Sequence, residues 1–419
     1  MKKDNLGLIR DQSIHNLRKI LSIGLMMAFF FQCQRSEFNS ACDPDSSAYL
    51  QTLVVLVGAS EYTDFCGAHV RNPRIKIPRF ILVTNVGLST ATSSINVFQI
   101  DPNTGAISQV TGSPFQLTNR PRYSVTNATG TIVYVANIGN TSVSILNLNP
   151  ENGTLSLNHP DLVLSSTPYS LALDPNGKYL FASSEGQKEI HRMAIDSSGN
   201  LSSLTPVAVT ANPISGAVGR MVFDSKGRHL YAGLTSAPGD MAGVQAFHLD
   251  AANGNLTSVN FYQTNVNNLS IAISANDQFV YGANYFSQDV FPFLRDKNSG
   301  ALTIQTSISA GVAPGYAIVD PLNRFVYVAN SGTGQGTISA YSIQLTNGAL
   351  TPVSGSPFVS GFSPIGLSID PKGKFLYSSN TEGGSVSGFT IGDDGSLWPM
   401  AGFPVTAGTN PFSIEIVSY

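Results

Sequence analysis

A hydrophobic run that ends in Asn, or in a residue standing in its place, recurs seven times between residues 79 and 419. The first copy reads Arg79-Phe80-Ile81-Leu82-Val83-Thr84-Asn85, and later copies open at Thr131, Lys178, Arg228, Gln278, Arg324 and Lys374. Successive copies lie 46 to 52 residues apart. A unit of that size made only of strands cannot bury its own apolar faces. The copies must therefore lean on one another in a stack or a ring.

Each unit divides by pattern into four strands. The Asn-ending run comes first, and an alternating strand such as Val244-Gln245-Ala246-Phe247-His248-Leu249 follows it. A turn rich in Asp, Asn and Gly comes next, as in Asp101-Pro102-Asn103-Thr104-Gly105 and Asp296-Lys297-Asn298-Ser299-Gly300. Such turns join hairpins, because Asp and Asn bond the local backbone and Gly accepts positive φ. A third strand starts at Leu155, Leu201, Leu256, Leu302, Leu350 or Leu397. A fourth alternates small and apolar residues, as in Tyr169-Ser170-Leu171-Ala172-Leu173, which suits the crowded strand beside a central axis. Seven such units with no helical period predict an all-β, seven-bladed β-propeller of four-stranded blades. A parallel β-helix has shorter repeats without hairpins. The last strand, Phe412-Ser413-Ile414-Glu415-Ile416, has no partner behind it, and pairing it with residues 79–85 would close the ring. Trp398, next to Leu397 on an outer strand, is expected to pack. His191, His229 and His248 fall within strands and do not cluster, so they read as packed or solvated side chains.

Upstream of the repeats, Lys2, Lys3, Arg10, Arg18 and Lys19 precede an apolar stretch over residues 20–31, then Gln32 and Cys33. The stretch is shorter than the roughly 20 residues a spanning helix needs, so residues 1–32 read as a signal peptide. The rest of the chain carries 18 basic and 24 acidic residues, which gives no basic surface for nucleic acid. Cys33 lies where an exported chain would carry a lipid anchor. The expected location is a membrane-anchored lipoprotein of the outer membrane or cell surface, with the periplasm as the alternative. Residues 33–78 then form a tether, and Cys42 and Cys66 are an even pair expected to form a disulfide in an oxidising setting. Only His69 stands near these cysteines, too few ligands for structural zinc. The Asp-x-Asn-x-Gly turns lack the later bidentate Glu of a calcium loop. No metal or cofactor is predicted.

The runs Leu82-Val83-Thr84-Asn85, Tyr134-Val135-Ala136-Asn137 and Tyr327-Val328-Ala329-Asn330 resemble the YVTN family of β-propeller repeats. With turns such as Asp174-Pro175-Asn176-Gly177, the unit is also similar to the seven-bladed lactonase family related to 6-phosphogluconolactonases. The resemblance spans about residues 79–419, and the Cys33 context resembles the looser pattern of spirochaete lipoproteins. It implies catalytic side chains on consecutive inner strands: a His, then an Arg-His pair, then a Glu at the end of the following strand. The matching positions hold Tyr169, Arg220 with Met221, and Thr235, so Arg220 alone matches. Lactone hydrolysis needs a proton acceptor for water and a donor for the developing oxyanion, and an Arg supplies only the second.

On a propeller, the loops that lead into the inner strands and those that follow the Asn-ending strands share one face. Arg122, Tyr123, Tyr169, Arg220, Asn268, Tyr285 and Tyr316 are the ligand-binding candidates there, with Arg120, Asn267 and Phe412 beside them. Glu185, Lys188, Asp240, Asp289 and Glu382 fall on neighbouring loops. Aromatic rings with scattered Arg and Asn suit a carbohydrate, peptide or protein segment. The residues therefore point first to an exported interaction module at the cell envelope. A lactonase acting on a sugar-acid lactone is the alternative.

Overall fold

The computed structural model describes residues 62–65, 68–71 and 76–419, apart from 185, 210–216, 236–241, 265–267 and 333. The expected signal segment, Cys33 and the Cys42–Cys66 pair lie outside the described residues. Tyr62–Phe65 and Ala68–Arg71 form an antiparallel hairpin within the N-terminal unit. Ile77–Tyr419 forms the second unit.

That second unit is a seven-bladed β-propeller. Blade one pairs Pro411–Ser418 with Pro78–Asn85, so the last strand does complete the first sheet. Blades two to seven begin on the inner strands Pro121–Thr126, Pro168–Leu173, Val218–Phe223, Asn268–Ile273, Pro314–Val319 and Pro364–Ile369. Each continues outward through consecutive antiparallel strands. In blades one, five, six and seven the outer edge is split into two short segments, both paired with the third strand. Trp398 departs from expectation: it is 65% exposed on one of these outer edges, with its indole N–H donated to Ser396 Oγ at 3.0 Å.

The second strand of each blade is flanked by strands on both edges and by a neighbouring blade on each face. It is therefore buried along its length, and its sequence is a continuous apolar run rather than an alternating one. The terminal Asn is buried too, and it has work across the sheet. Asn137 Nδ2 donates to Ser142 and Ser144 at 3.0 and 2.7 Å, and Asn380 Nδ2 to Ser385 and Ser387 at 3.1 and 2.9 Å. In blade three the Asn is replaced by Ser184. Ser166 fills the gap, with contacts to Ser184, Glu189 and His191 at 2.6, 2.8 and 2.8 Å.

Adjacent blades are joined by one recurring contact. The first side chain of the second strand lies against the turn glycine between the third and fourth strands of the next blade. Phe279 meets Gly348 in this way, and Phe375 meets Gly105 across the closing junction. A Cβ on Gly348 would stand 2.4 Å from Phe279 Cδ1, and Gly348 has φ +79°, which only glycine adopts cheaply. Two residues along the same strand, a tyrosine hydroxyl donates to that glycine's carbonyl. Tyr134, Tyr231, Tyr281, Tyr327 and Tyr377 reach Gly199, Gly300, Gly348, Gly395 and Gly105 at 2.7 to 3.2 Å. Phe181 takes this position in blade three, and there Arg192 Nη1 donates to the Gly254 carbonyl instead, at 2.9 Å.

The closing strand is also fastened sideways. Glu415 accepts from Thr126 N, Thr126 Oγ1 and Ser124 Oγ of blade two at 2.8, 2.6 and 3.2 Å. Burial pushes its carboxyl up to about 7 although these bonds pull the other way. The folded chain therefore binds a proton here that the unfolded chain releases between pH about 4.5 and 7, and stability falls as pH rises through that window. Glu415→Gln is expected to flatten the fall by about 2 kcal/mol between pH 5 and 8, read as the difference in urea-unfolding free energies. At a blade junction, Tyr281→Phe is expected to cost about 1–2 kcal/mol for the unpaired carbonyl. Gly348→Ala should cost about 3 kcal/mol, from the left-handed backbone plus the clash with Phe279. Equal costs for the two would show that the ring contact does not constrain the junction.

Candidate functional site

The inner strands are edge strands, and their bare edge faces the axis. Five of them open on proline, which can sit there because no partner asks for its missing N–H. The residue before it takes a left-handed backbone in four blades: Arg120, Ala313, Ser363 and Asn410, with φ of 52° to 56°. Pairing with the second strand then slips between the first residues of the inner strand, for instance between Pro121 and Tyr123 and between Pro314 and Tyr316.

This bulge decides what reaches the channel. In a regular strand, successive side chains point to opposite faces. Here consecutive residues line the same cavity: Arg122 with Tyr123, Tyr169 with Ser170, Gly315 with Tyr316, and Phe412 with Ser413. A bulge re-aims side chains in this way. The cavity holds about 370 Å³ at the mouth of the channel and is completed by Arg220, Tyr285, Ser331, Ser363, Ile365 and Glu382.

Two layers can be read from the register. In the upper one, the Arg122 guanidinium carbon lies 4.1 Å from the centre of the Tyr169 ring and 4.6 Å from that of Phe412. The cation is thus sandwiched between rings from the blades on either side of its own. In the lower layer, blades two, four and six each send a long side chain to the axis. Arg220 Nε donates to Tyr123 OH at 3.0 Å, and its Nη1 donates to the Ala317 carbonyl at 2.9 Å. Its guanidinium carbon lies 3.9 Å from the centre of the Tyr316 ring. The remaining blades place Ser170, Ser270, Gly366 and Ser413 at this level, which leaves room for the three large groups to meet. Burial opposes the charge on Arg220, yet the phenol oxygens of Tyr123 and Tyr316 hold it above its ordinary value, so the group stays cationic. Burial pushes the Tyr316 hydroxyl well above its usual value, with Arg220 opposing and Tyr123 and Glu415 adding to the rise. The trio closes the floor of the cavity.

Six of the seven sequence candidates line this one cavity: Arg122, Tyr123, Tyr169, Arg220, Tyr285 and Tyr316. Asn268 opens an inner strand, and its side chain lies outside the described residues, as do Asn267, Glu185 and Asp240. Lys188 is exposed, and Asp289 is used to accept the amide of Asn284 at 2.8 Å. Glu382 is the loop carboxylate that lines the cavity. Of the positions matched to proton-transfer residues, Met221 is 3% exposed in the core between blades, and Thr235 exchanges hydrogen bonds with Ala217 at 2.9 Å. Neither accepts a proton from water. Ser331 and Ser363 carry no sequence signal because they are single small residues at loops, and Ile365 carries none because it is one of several apolar residues of the inner strand Pro364–Ile369. Among the described residues no group of three His, Cys, Asp or Glu is placed to hold a metal.

The chain is 30% identical over 112 residues to the 6-phosphogluconolactonase of Bacillus subtilis, a match that covers 26% of this chain and 32% of that protein. The chain thus matches about a third of the length of this curated relative. Among solved structures, the periplasmic gluconolactonase of Pseudomonas aeruginosa superposes with a TM-score of 0.67 at 20% identity, over 80% of this chain and 99% of that one. A 6-phosphogluconolactonase candidate from Bacteroides uniformis gives 0.70 at 20% identity, over 81% and 100%. At these identities the two structures speak for the fold. A sequence model of the lactonase, seven-bladed beta-propeller family matches residues 68–169, 125–215, 183–293 and 287–411. With the ring closed by its own last strand and matches running through nearly every blade, the chain is a member of the lactonase family of seven-bladed β-propellers.

Proposed function

We propose that this protein hydrolyses a lactone at the mouth of its central channel. The observation that carries the reading is the floored cavity of about 370 Å³, in which two guanidinium groups, Arg122 and Arg220, and one carboxylate, Glu382, line the same space. That volume suits a small ring compound. Arg220, held by Tyr123 and the Ala317 carbonyl, is a preorganised donor for the oxyanion that forms when water attacks the lactone carbonyl. Glu382, the carboxylate among the lining residues, would take the proton from that water. The ring carbon–oxygen bond then breaks, and the departing alkoxide receives the proton, which gives a hydroxy acid. The product's new carboxylate forms beside Arg122 and Arg220. Family membership and the relatives named as lactonases support the same reaction class over the interaction-module reading.

A second reading keeps the cavity and drops the chemistry. The positions matched to proton-transfer groups hold Tyr169, Met221 and Thr235, and this favours a binding module for a carbohydrate or protein segment at the cell envelope. Export through residues 1–32 and anchoring through lipid on Cys33 belong to either reading as proposals.

Incubation of the purified protein with 6-phosphogluconolactone and glucono-δ-lactone, followed by acid release, decides between the two. Hydrolysis above the buffer rate is expected. Arg220→Met should lower kcat by about 100-fold, the usual cost of losing an oxyanion donor. Arg220→Lys is expected to recover part of it. Rates equal to buffer with these and with unsubstituted or alkyl lactones would end the hydrolase reading.

A further inference from the structure

The mouth of the channel has two unlike halves. On blades two and three the rim is polar, with Asn119, Asn140, Ser165, Ser166 and Lys188. These stand above the side that carries Arg122 and Tyr169. Around blades five and six, three large apolar side chains are exposed: Phe286 after the second strand of blade five, Val312 before the inner strand of blade six, and Phe362 at the end of the outer edge of blade six. Phe286 is 52% exposed, Val312 59% and Phe362 52%. Single exposed apolar residues are ordinary, but three beside two neighbouring blades at one opening make a surface with a direction.

Each of the three adjoins the cavity wall. Phe286 follows Tyr285, which lines the cavity, and their rings meet edge to face with centroids 5.3 Å apart. Phe362 precedes Ser363, another lining residue. Val312 is tied to the loop after Asn330, where its carbonyl accepts from Gly332 N at 3.1 Å and neighbouring Ser331 lines the cavity. The floor is closed by Tyr123, Arg220 and Tyr316, so whatever is held in the cavity must leave over the rim. A ligand whose oxygens face Arg122 directs its remaining atoms toward the arc of Phe286, Val312 and Phe362, and Glu382 stands at the end of that arc, where Gly383 N donates to the Phe362 carbonyl at 3.3 Å. A fully hydroxylated sugar ring would leave that arc wet and would find no charged side chain on blade five or six to bond, since Tyr285, Gly315, Tyr316 and Ser331 are what those blades contribute.

We infer that the ligand is amphiphilic: a lactone ring, or the hydroxy acid made from it, at Arg122 and Arg220, with an alkyl or aryl substituent lying across Phe286, Val312 and Phe362. This rests on the hydrolase reading for its chemistry but on the two-sided mouth for its specificity. The occupant is a small molecule, because the apolar arc is continuous with the cavity wall.

The test has two arms. In the first, hydrolysis of a δ-lactone with a five-carbon side chain is compared with that of glucono-δ-lactone. The alkyl lactone is expected to have at least tenfold higher kcat/KM. Phe286→Ser and Phe362→Ser should each raise its KM about five- to tenfold, with kcat unchanged and with glucono-δ-lactone unaffected. In the second arm, calorimetry measures binding of the ring-opened products, 5-hydroxydecanoate and gluconate, without any chemistry. Tighter binding of 5-hydroxydecanoate, weakened by the same two substitutions, is expected. If neither lactone is hydrolysed but that binding pattern holds, the hydrolase reading fails and the amphiphile inference stands. A preference for gluconate, or serine variants that bind both acids like the parent, overturns the inference. In the latter case the arc serves a macromolecule instead.

Discussion

Everything in the ring rests on a glycine that a neighbour's side chain can cover. At each junction a hairpin turn must lie flat on the blade before it, and the residue at the contact has no room for a Cβ. The left-handed backbone that closes the turn is the same feature that presents the glycine carbonyl to a tyrosine hydroxyl. One residue thus satisfies a turn, a packing contact and a buried hydrogen bond together. Blades held in this way can form an annulus only if the last meets the first. The closing strand does this with a ladder along Pro78–Asn85 and with the Tyr377–Gly105 contact across the seam.

A ring of that kind leaves seven strand edges around an axis, and the site is built from that by-product. Bulges turn adjacent residues inward together, so blades one, two, three and six each line the cavity with two consecutive residues where a regular strand would offer one. The molecule fills alternate blades with Tyr123, Arg220 and Tyr316 and leaves small residues between them. Arg220 is bonded to the scaffold and lines the cavity at once, which fixes its position there. The polar and apolar stretches of the rim arise because the loops of blades two and three and those beside blades five and six have different compositions on one frame.

Much of this was readable from residue order. The apolar runs ending in Asn are visible because a doubly covered strand needs no alternation, and the Asn itself marks the amide that clasps Ser142 and Ser144, or Ser385 and Ser387. The turn glycines were visible as turns, but their second duty against Phe279 or Phe375 was not, because the partner belongs to another repeat. Trp398 shows the limit of reading outer strands, whose apolar residues need no cover. Six of the seven candidate side chains fall in one cavity, since topology alone puts the loops on one face. Their layering was not legible, because a bulge leaves no mark in residue order when the positions around it hold Arg, Tyr or Ser.

The residue pattern by itself determined the number of blades, their strand order and the closing strand, because local period and apolar content act within a single repeat. Tertiary structure alone decided that Tyr123, Arg220 and Tyr316 would meet, because they come from blades that are neither adjacent in sequence nor neighbours in the ring. The same holds for the sandwich of Arg122 between Tyr169 and Phe412, whose last member lies at the far end of the chain. Contacts across an axis depend on how seven sheets tilt and where each bulge falls, and no short stretch of residues carries that geometry.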